Sequence, residues 1–194
     1  GTPTILVDAD LRRPTLADSF ALDSSFGGLS NLLVGDADVL DVAQKSPVSP
    51  NLLLLSAGSI PPNPSEMLGS AAMKKLLTAL AENYVVILDS PPLLPVTDAA
   101  VLTANADGAL IVVSEGKTTD TELGGALAQL EAVSGTVLGV IINKVSKAGG
   151  SSAYYNGYYG YYGHTYGESA KESAPASDPG PVGGSRFVMA TPAQ

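Results

Sequence analysis

Five short aliphatic runs, each about as long as a strand and separated by segments of helical periodicity, constrain the fold of this chain more than any other feature. Such alternation is typical of βαβ units, in which right-handed crossovers return each strand parallel to the one before. The predicted strands are Thr4–Asp8, Leu52–Ser56, Tyr84–Asp89, Ala109–Val113 and Val137–Ile142. We therefore expect an α/β fold with a mostly parallel sheet and helices on both of its faces.

The segments between these runs carry the predicted helices. They are Leu29–Val34, Val39–Gln44, Ser65–Asn83, Thr97–Asn105 and Thr119–Val133. The third is the clearest, because its apolar side chains fall near one stripe and Ser65 is suited to cap its first turn. All the apolar runs are far shorter than the roughly 20 residues that a membrane-spanning helix needs. We expect no span of the membrane in this chain.

Composition excludes several classes of function. The 194 residues include no cysteine, which excludes disulfides and thiolate metal sites. A formal net charge of −9 argues against nucleic acid as a partner, since neutralising phosphates requires clustered Lys and Arg. The predicted organisation is one globular domain at residues 1–145 and a disordered segment at 146–194. The latter is rich in Gly, Ser, Ala and Pro and has no sustained apolar period.

Two of the predicted strands end in carboxylates. Asp8 and Asp10 follow the first strand, and their alternate spacing puts them on one side of an extended chain. Asp89 ends another strand. A single acid at such a position is more often a turn or cap residue than a ligand. Because parallel strands present their carboxyl ends at one edge, however, we expect the three carboxylates to converge there and to require a cation such as Mg²⁺.

Seven of the eight tyrosines lie close together near the C-terminus. They are Tyr154, Tyr155, Tyr158, Tyr159, Tyr161, Tyr162 and Tyr166. Interspersed glycines make this cluster a poor core, so we interpret it as a substrate for modification, with a sticky low-complexity interaction segment as the alternative.

These motifs resemble those of one family. The segment Ile5–Pro14, Ile-Leu-Val-Asp-Ala-Asp-Leu-Arg-Arg-Pro, resembles the modified second Walker A motif of bacterial tyrosine kinases, autokinases that regulate capsule and exopolysaccharide export. Val86–Pro92 resembles their Walker B motif, and Ser59–Leu68 resembles their Pro-Asn-Pro-Ser-Glu segment. The C-terminal tyrosine cluster is the fourth match. It distinguishes the kinases from partitioning and septum-positioning ATPases, which share the acid-tipped strands.

The resemblance implies a P-loop NTPase-like domain that uses ATP and Mg²⁺, and it implies a role for each site residue. Asp8 would lie near magnesium and the attacking hydroxyl, with Asp10 supporting the same catalytic site, and Asp89 would hold Mg²⁺ in the Walker B manner. Arg12 would neutralise phosphate charge, and Asn143 would contact the adenine base. A solvated surface arginine and an ordinary loop amide are the alternatives for these last two.

The resemblance also implies partners and a location. Neighbouring kinase subunits would phosphorylate one another's tyrosine cluster, and a tyrosine phosphatase would reverse the modification. A transmembrane activator domain, fused upstream or separate, would hold the kinase in the cytoplasm at the inner face of the membrane.

The family's phosphate loop, a Gly-rich segment ending in Gly-Lys-Ser/Thr, should precede the Asp8 strand, and we identify no segment of this chain as that loop. We therefore expect the chain to begin within a longer polypeptide and to be inactive on its own. Two other functions stay open at this point: a fragment of a partitioning-type ATPase, and a non-catalytic module that binds partners through its Tyr-rich segment.

Overall fold

The computed structural model describes residues 1–145 and 187–192. The strands within this part are β1 (Thr4–Asp8), β2 (Gln44–Lys45), β3 (Leu52–Leu55), β4 (Val85–Asp89), β5 (Gly108–Ser114), β6 (Val137–Asn143) and β7 (Phe187–Pro192). The α-helices are α1 (Leu16–Phe20), α2 (Leu29–Val34), α3 (Val39–Val42), α4 (Pro64–Leu68), α5 (Ala71–Ala81), α6 (Asp98–Thr103) and α7 (Asp120–Ala132), and a 3₁₀ turn covers Ser24–Phe26.

All these strands belong to one sheet, in the order β2-β3-β1-β4-β7-β5-β6. Strand β1 pairs in parallel with β3 and β4, and β7 pairs in parallel with β4 and β5. Only the pairing of β2 with β3 is antiparallel among the described strands. The α/β class with a mostly parallel sheet is therefore confirmed.

The centre of the core lies where β1 pairs with β4. Ile5 and Val7 of β1 and Val86 and Leu88 of β4 are fully buried, and each such side chain contributes roughly 1.5–3 kcal/mol on burial. Val7 is the register partner of Leu88, so the next pair along the two strands is Asp8 with Asp89. The register that buries the aliphatic side chains thus also sets two carboxylates side by side at the carboxyl edge.

The prediction of one continuous helix over 65–83 was wrong. The structure has two helices there, α4 and α5, which are separated by Gly69 and Ser70. The Ser70 hydroxyl accepts a hydrogen bond from the Met73 amide at 3.1 Å and caps α5. A Cβ on Gly69 would lie 3.3 Å from Val101 Cγ1 of α6. The expected cap, Ser65, lies inside α4 instead.

Other differences are local. Gln44, expected at the end of a helix, lies in β2 and pairs with Leu54 of β3. The short helix α1 was not predicted. Residues 187–192 were assigned to the disordered segment, but they form strand β7 between β4 and β5; the rest of 146–194 lies outside the described residues. No helix in the described part is long and apolar enough to cross a membrane.

Candidate active site

Asp8, at the end of β1, organises the turn that follows it. Its carboxylate is 1% exposed, and its two oxygens accept hydrogen bonds from the backbone amides of Asp10 at 3.2 Å and Leu16 at 3.0 Å. The second bond satisfies an amide at the start of α1, where helical backbone donors lack partners. Asp8 therefore has the structural role of a turn and cap residue, and each of its oxygens keeps a further lone pair for a ligand.

Asp10 fixes the next part of the same loop. One carboxylate oxygen, Oδ1, accepts hydrogen bonds from the backbone amides of Arg12 at 3.1 Å and Arg13 at 2.9 Å. Short acidic side chains commonly close turns in this way. The loop that carries both acids is thus held by their own carboxylates.

Asp89 ends β4 beside Asp8, and no amide of the described residues donates to its carboxylate as the Asp10 and Leu16 amides do to that of Asp8. Burial raises the pKa of Asp89 to about 6, and the negative charges of Asp8 and Asp10 act in the same direction. Burial also raises the pKa of Asp8, although hydrogen bonds from Leu16 and Asp10 partly oppose this. Two neighbouring carboxylates that resist ionisation form a site that a cation would stabilise.

The pair fits one kind of cation better than others. In the described part of the chain, no three or more Asp, Glu, His or Cys side chains are grouped to hold a metal ion. The three carboxylates therefore do not converge as expected, because the Asp10 carboxylate accepts hydrogen bonds from the loop amides instead. Mg²⁺ is commonly bound by one or two carboxylates completed by waters and substrate phosphates. Asp8 and Asp89 meet that requirement.

Arg12 belongs to a cluster that the sequence analysis missed. Its Nε and Nη2 donate to the two oxygens of Asp98, at 2.7 and 3.1 Å, and Nη2 also donates to Ser65 Oγ at 3.0 Å. The Ser65 hydroxyl donates to Asp98 Oδ1 at 2.5 Å. Asp98 is the first residue of α6 and is fully buried.

These partners stabilise the ionised form of Asp98. Burial alone would raise its pKa, but hydrogen bonds from Arg12 and Ser65, with the charge of Arg12, more than offset this and lower it. In sequence, an acid at the start of a helix indicates a favourable dipole contact and no more. Nothing local to Asp98 predicts a partner 86 residues away.

Asn143 lies apart from the acids. Asn143 ends β6 at the same edge of the sheet, three strand positions from β4, which is about 14 Å at the usual strand spacing. Its backbone carbonyl accepts a hydrogen bond from the Glu115 amide at 2.9 Å. The seven tyrosines from Tyr154 to Tyr166 lie outside the described residues, so their place relative to the acids stays a prediction.

One Gly-Lys-Thr that was not considered as a phosphate loop lies at Gly116–Thr118, in the turn from β5 to α7. A phosphate loop offers free backbone amides to its ligand. Here the amides of Lys117 and Thr118 donate to the Ser114 carbonyl at 3.2 and 3.1 Å, and the Ser114 amide donates to Thr118 Oγ1 at 3.0 Å. The amide of Thr119 is likewise taken, by Glu122 at 2.7 Å. The amides of Lys117, Thr118 and Thr119 are therefore already bonded, and this turn does not replace the expected loop.

Comparison with known proteins adds to this geometry. No protein family model matches the chain. The tyrosine-protein kinase CpsD of Streptococcus agalactiae serotype Ia is 34% identical over 149 residues, which are 76% of this chain and 64% of CpsD. The tyrosine-protein kinase YwqD of Bacillus subtilis is 39% identical over 150 residues, which are 76% of this chain and 62% of YwqD. The chain thus spans less than two thirds of the length of these relatives.

A solved structure extends the similarity to the fold. The kinase domain of VpsO superposes with a TM-score of 0.70 at 30% sequence identity. The aligned region covers 74% of this chain and 71% of that domain. The similarity therefore covers about three quarters of this chain in both sequence and fold.

Proposed function

The chain belongs to the bacterial tyrosine-protein kinases, and we propose that it is the acid-bearing part of a catalytic domain that transfers the ATP γ-phosphoryl group to tyrosine. The observation that carries the proposal is the pair Asp8 and Asp89, which are register partners at one edge of the sheet, with the pKa of Asp89 raised to about 6. Neighbouring acids of this kind are costly to a fold unless they bind a cation.

The pair would contribute mainly charge and position, which is what phosphoryl transfer requires. The phenol oxygen of tyrosine forms the new bond to the γ-phosphorus, the bond to the β,γ-bridging oxygen breaks, and ADP leaves with that oxygen. Asp8 accepts or orients the phenolic proton, and Asp8 and Asp89 would hold the Mg²⁺ ion. When bound, the ion would supply positive charge that neutralises the phosphate oxygens. Asp10 supports the loop, and Asn143 contacts the adenine.

The wider role follows from the family resemblance. We propose that neighbouring subunits phosphorylate one another's C-terminal tyrosines and that a phosphatase resets them. The kinase would act in the cytoplasm at the inner face of the membrane, bound to a transmembrane activator, and regulate the synthesis and export of capsule or exopolysaccharide. Residues 1–194 alone should be inactive, because no segment of the chain is identified as a phosphate loop and the amides of Lys117 and Thr118 are already bonded.

The proposal is tested by phosphotyrosine mass spectrometry on the full-length protein from its own cells. We expect phosphate on the Tyr154–Tyr166 cluster, and a loss of about 100-fold or more in Asp8→Asn and Asp89→Asn, because each removes charge that acts during transfer. Asp18→Asn is the matched control, since Asp18 is exposed on α1. Wild-type phosphorylation in both site variants would remove these acids from the mechanism. A protein that forms no phosphotyrosine would contradict the proposed activity.

A further inference from the structure

We infer that Arg12, Asp98 and Ser65 form a positioning cluster, which holds the loop of Asp8 and Asp10 in place for phosphoryl transfer, and that Arg12 acts through Asp98 and not through phosphate. This inference rests on the proposed kinase activity. It assigns a role to Asp98 and Ser65, which no motif identified, and it changes the role expected of Arg12.

The ion pair between Arg12 and Asp98 has a strong and directional geometry. Two guanidinium nitrogens of Arg12 meet the two oxygens of Asp98, at 2.7 and 3.1 Å, which is the bidentate arrangement that makes such pairs strong and directional. Asp98 is fully buried, whereas the side chain of Arg12 is 40% exposed. Removing Arg12 from such a buried acid leaves a charge without compensation, which is strongly unfavourable.

The cluster also connects separate elements of the fold. Through its backbone amide, Arg12 donates to the Asp10 carboxylate at 3.1 Å, and through its guanidinium it binds Asp98 at the start of α6. Ser65 of α4 completes the cluster by donating to Asp98 Oδ1. The loop after β1 is thereby fixed to two helices, one following β3 and the other following β4. A shift of the Asp10 loop would break these bonds.

The same cluster disfavours phosphate as a partner of Arg12. A phosphate group that recruited Arg12 would have to compete with a carboxylate that is already in place, ionised and bonded at short distance. Because Asp98 cannot turn to water from its buried position, releasing Arg12 would leave it with Ser65 as its remaining side-chain donor among the described contacts. The cost of that release favours a fixed Arg12. A fixed arginine positions its own loop, and misplacement of a reacting group by about 1 Å can cost 100-fold in rate.

A double-mutant cycle in the full-length kinase tests the inference. The variants are Arg12→Ala, Asp98→Asn and the double variant, with Lys75→Ala, an exposed cation on α5, as the matched control. Each single variant should lower kcat by roughly 10- to 100-fold and leave KM for MgATP within about threefold, because the loop is misplaced and not the nucleotide. The double variant should lose no more than either single variant, since the residues act as a unit. Lys75→Ala should match the wild type.

Other outcomes overturn the inference. A contact of Arg12 with phosphate predicts that Asp98→Asn stays near wild-type kcat and that Arg12→Ala raises KM in either background. A purely structural role predicts a lower melting temperature with unchanged kcat per folded molecule. If Arg12→Ala does not fold, Arg12→Lys keeps the charge without the bidentate geometry, and an unchanged kcat in that variant refutes the positioning role. An active wild type with additive losses refutes this inference alone, whereas an inactive wild type refutes the proposed function with it.

Discussion

Strands β4 and β6 have nearly the same aliphatic composition and opposite environments. In β4, Val86 and Leu88 are fully buried, and the strand lies between β1 and β7. In β6, which ends the sheet, every large aliphatic side chain is at least 38% exposed. Ile141 and Ile142 are adjacent and exposed by 45% and 60%, so both faces of β6 are open, since successive side chains point to opposite faces.

The comparison shows that an apolar run predicts a strand but not its burial. Position in the sheet decides burial, and that position results from pairings between distant parts of the chain. The side chains of an interior strand are shielded from solvent by the strands on each side. An end strand has such a neighbour on one side, so the exposure of its side chains depends on what packs against its outer edge and its faces. A strand inside the sheet and the strand at its end should therefore respond very differently to the same change.

The largest expected effect is in the strand next to β6. Ile111→Ala removes a side chain that is 1% exposed in β5, and it should lower the free energy of unfolding by roughly 2–5 kcal/mol. Ile142→Ala removes the same atoms from β6 at 60% exposure and should change it by less than about 0.5 kcal/mol. Urea denaturation of both variants measures the difference. Equal losses would show that β6 is covered in solution.

A smaller effect concerns the polar residues that end β4 and β6, Asp89 and Asn143. The raised pKa of Asp89 means that the folded protein binds a proton more tightly than the unfolded chain. Without Mg²⁺, the contribution of Asp89 to the free energy of unfolding should therefore rise as pH falls from about 7 to about 4, and Asp89→Asn should raise the free energy of unfolding at pH 7 by about 1–2 kcal/mol.

Two controls sharpen this prediction. Asn143→Asp, which places a carboxylate at the exposed end of β6, should change stability by less than about 0.5 kcal/mol. Asp98 has a lowered pKa, so its contribution has the opposite sign and is lost below pH 4. Denaturation midpoints of the wild type and of Asp89→Asn should be measured across this pH range. If the midpoint of Asp89→Asn changes as steeply with pH as that of the wild type, the raised pKa of Asp89 is contradicted.

The smallest expected effect is in the helix that leads into β6. Thr119 and Glu122 form a capping box at the start of α7, where only Ala126 and Leu130 are buried. Thr119→Ala should cost about 1 kcal/mol. Hydrogen exchange of Thr119→Ala should show faster opening of the α7 amides. Ser70→Ala is the equivalent change in α5, which has three buried residues, and the α5 amides in that variant should stay better protected than the α7 amides in Thr119→Ala. Equal protection would mean that α7 packs as firmly as α5.

Local patterns in the sequence determined much of this protein. The aliphatic runs predicted β1 to its end residues, and they placed the ends of β4 and β6 within one residue. Asp8 and Asp89 were correctly expected at one edge, because strand period and parallel pairing are general properties of such sheets, whereas Asp10 turns to the loop amides instead. The motif resemblance identified the family that the comparisons then established.

Tertiary structure decided the rest, because it depends on which distant residues meet. Gly69 and Ser70 break a pattern that looks continuous, since α6 approaches there. Arg12 reads as a phosphate ligand until Asp98, 86 residues away, is seen to bind it. The exposure of β6 and the strand formed by 187–192 likewise depend on sheet order. Periodicity is a property of neighbouring residues, whereas partners and cover are set by long-range packing, which no local pattern contains.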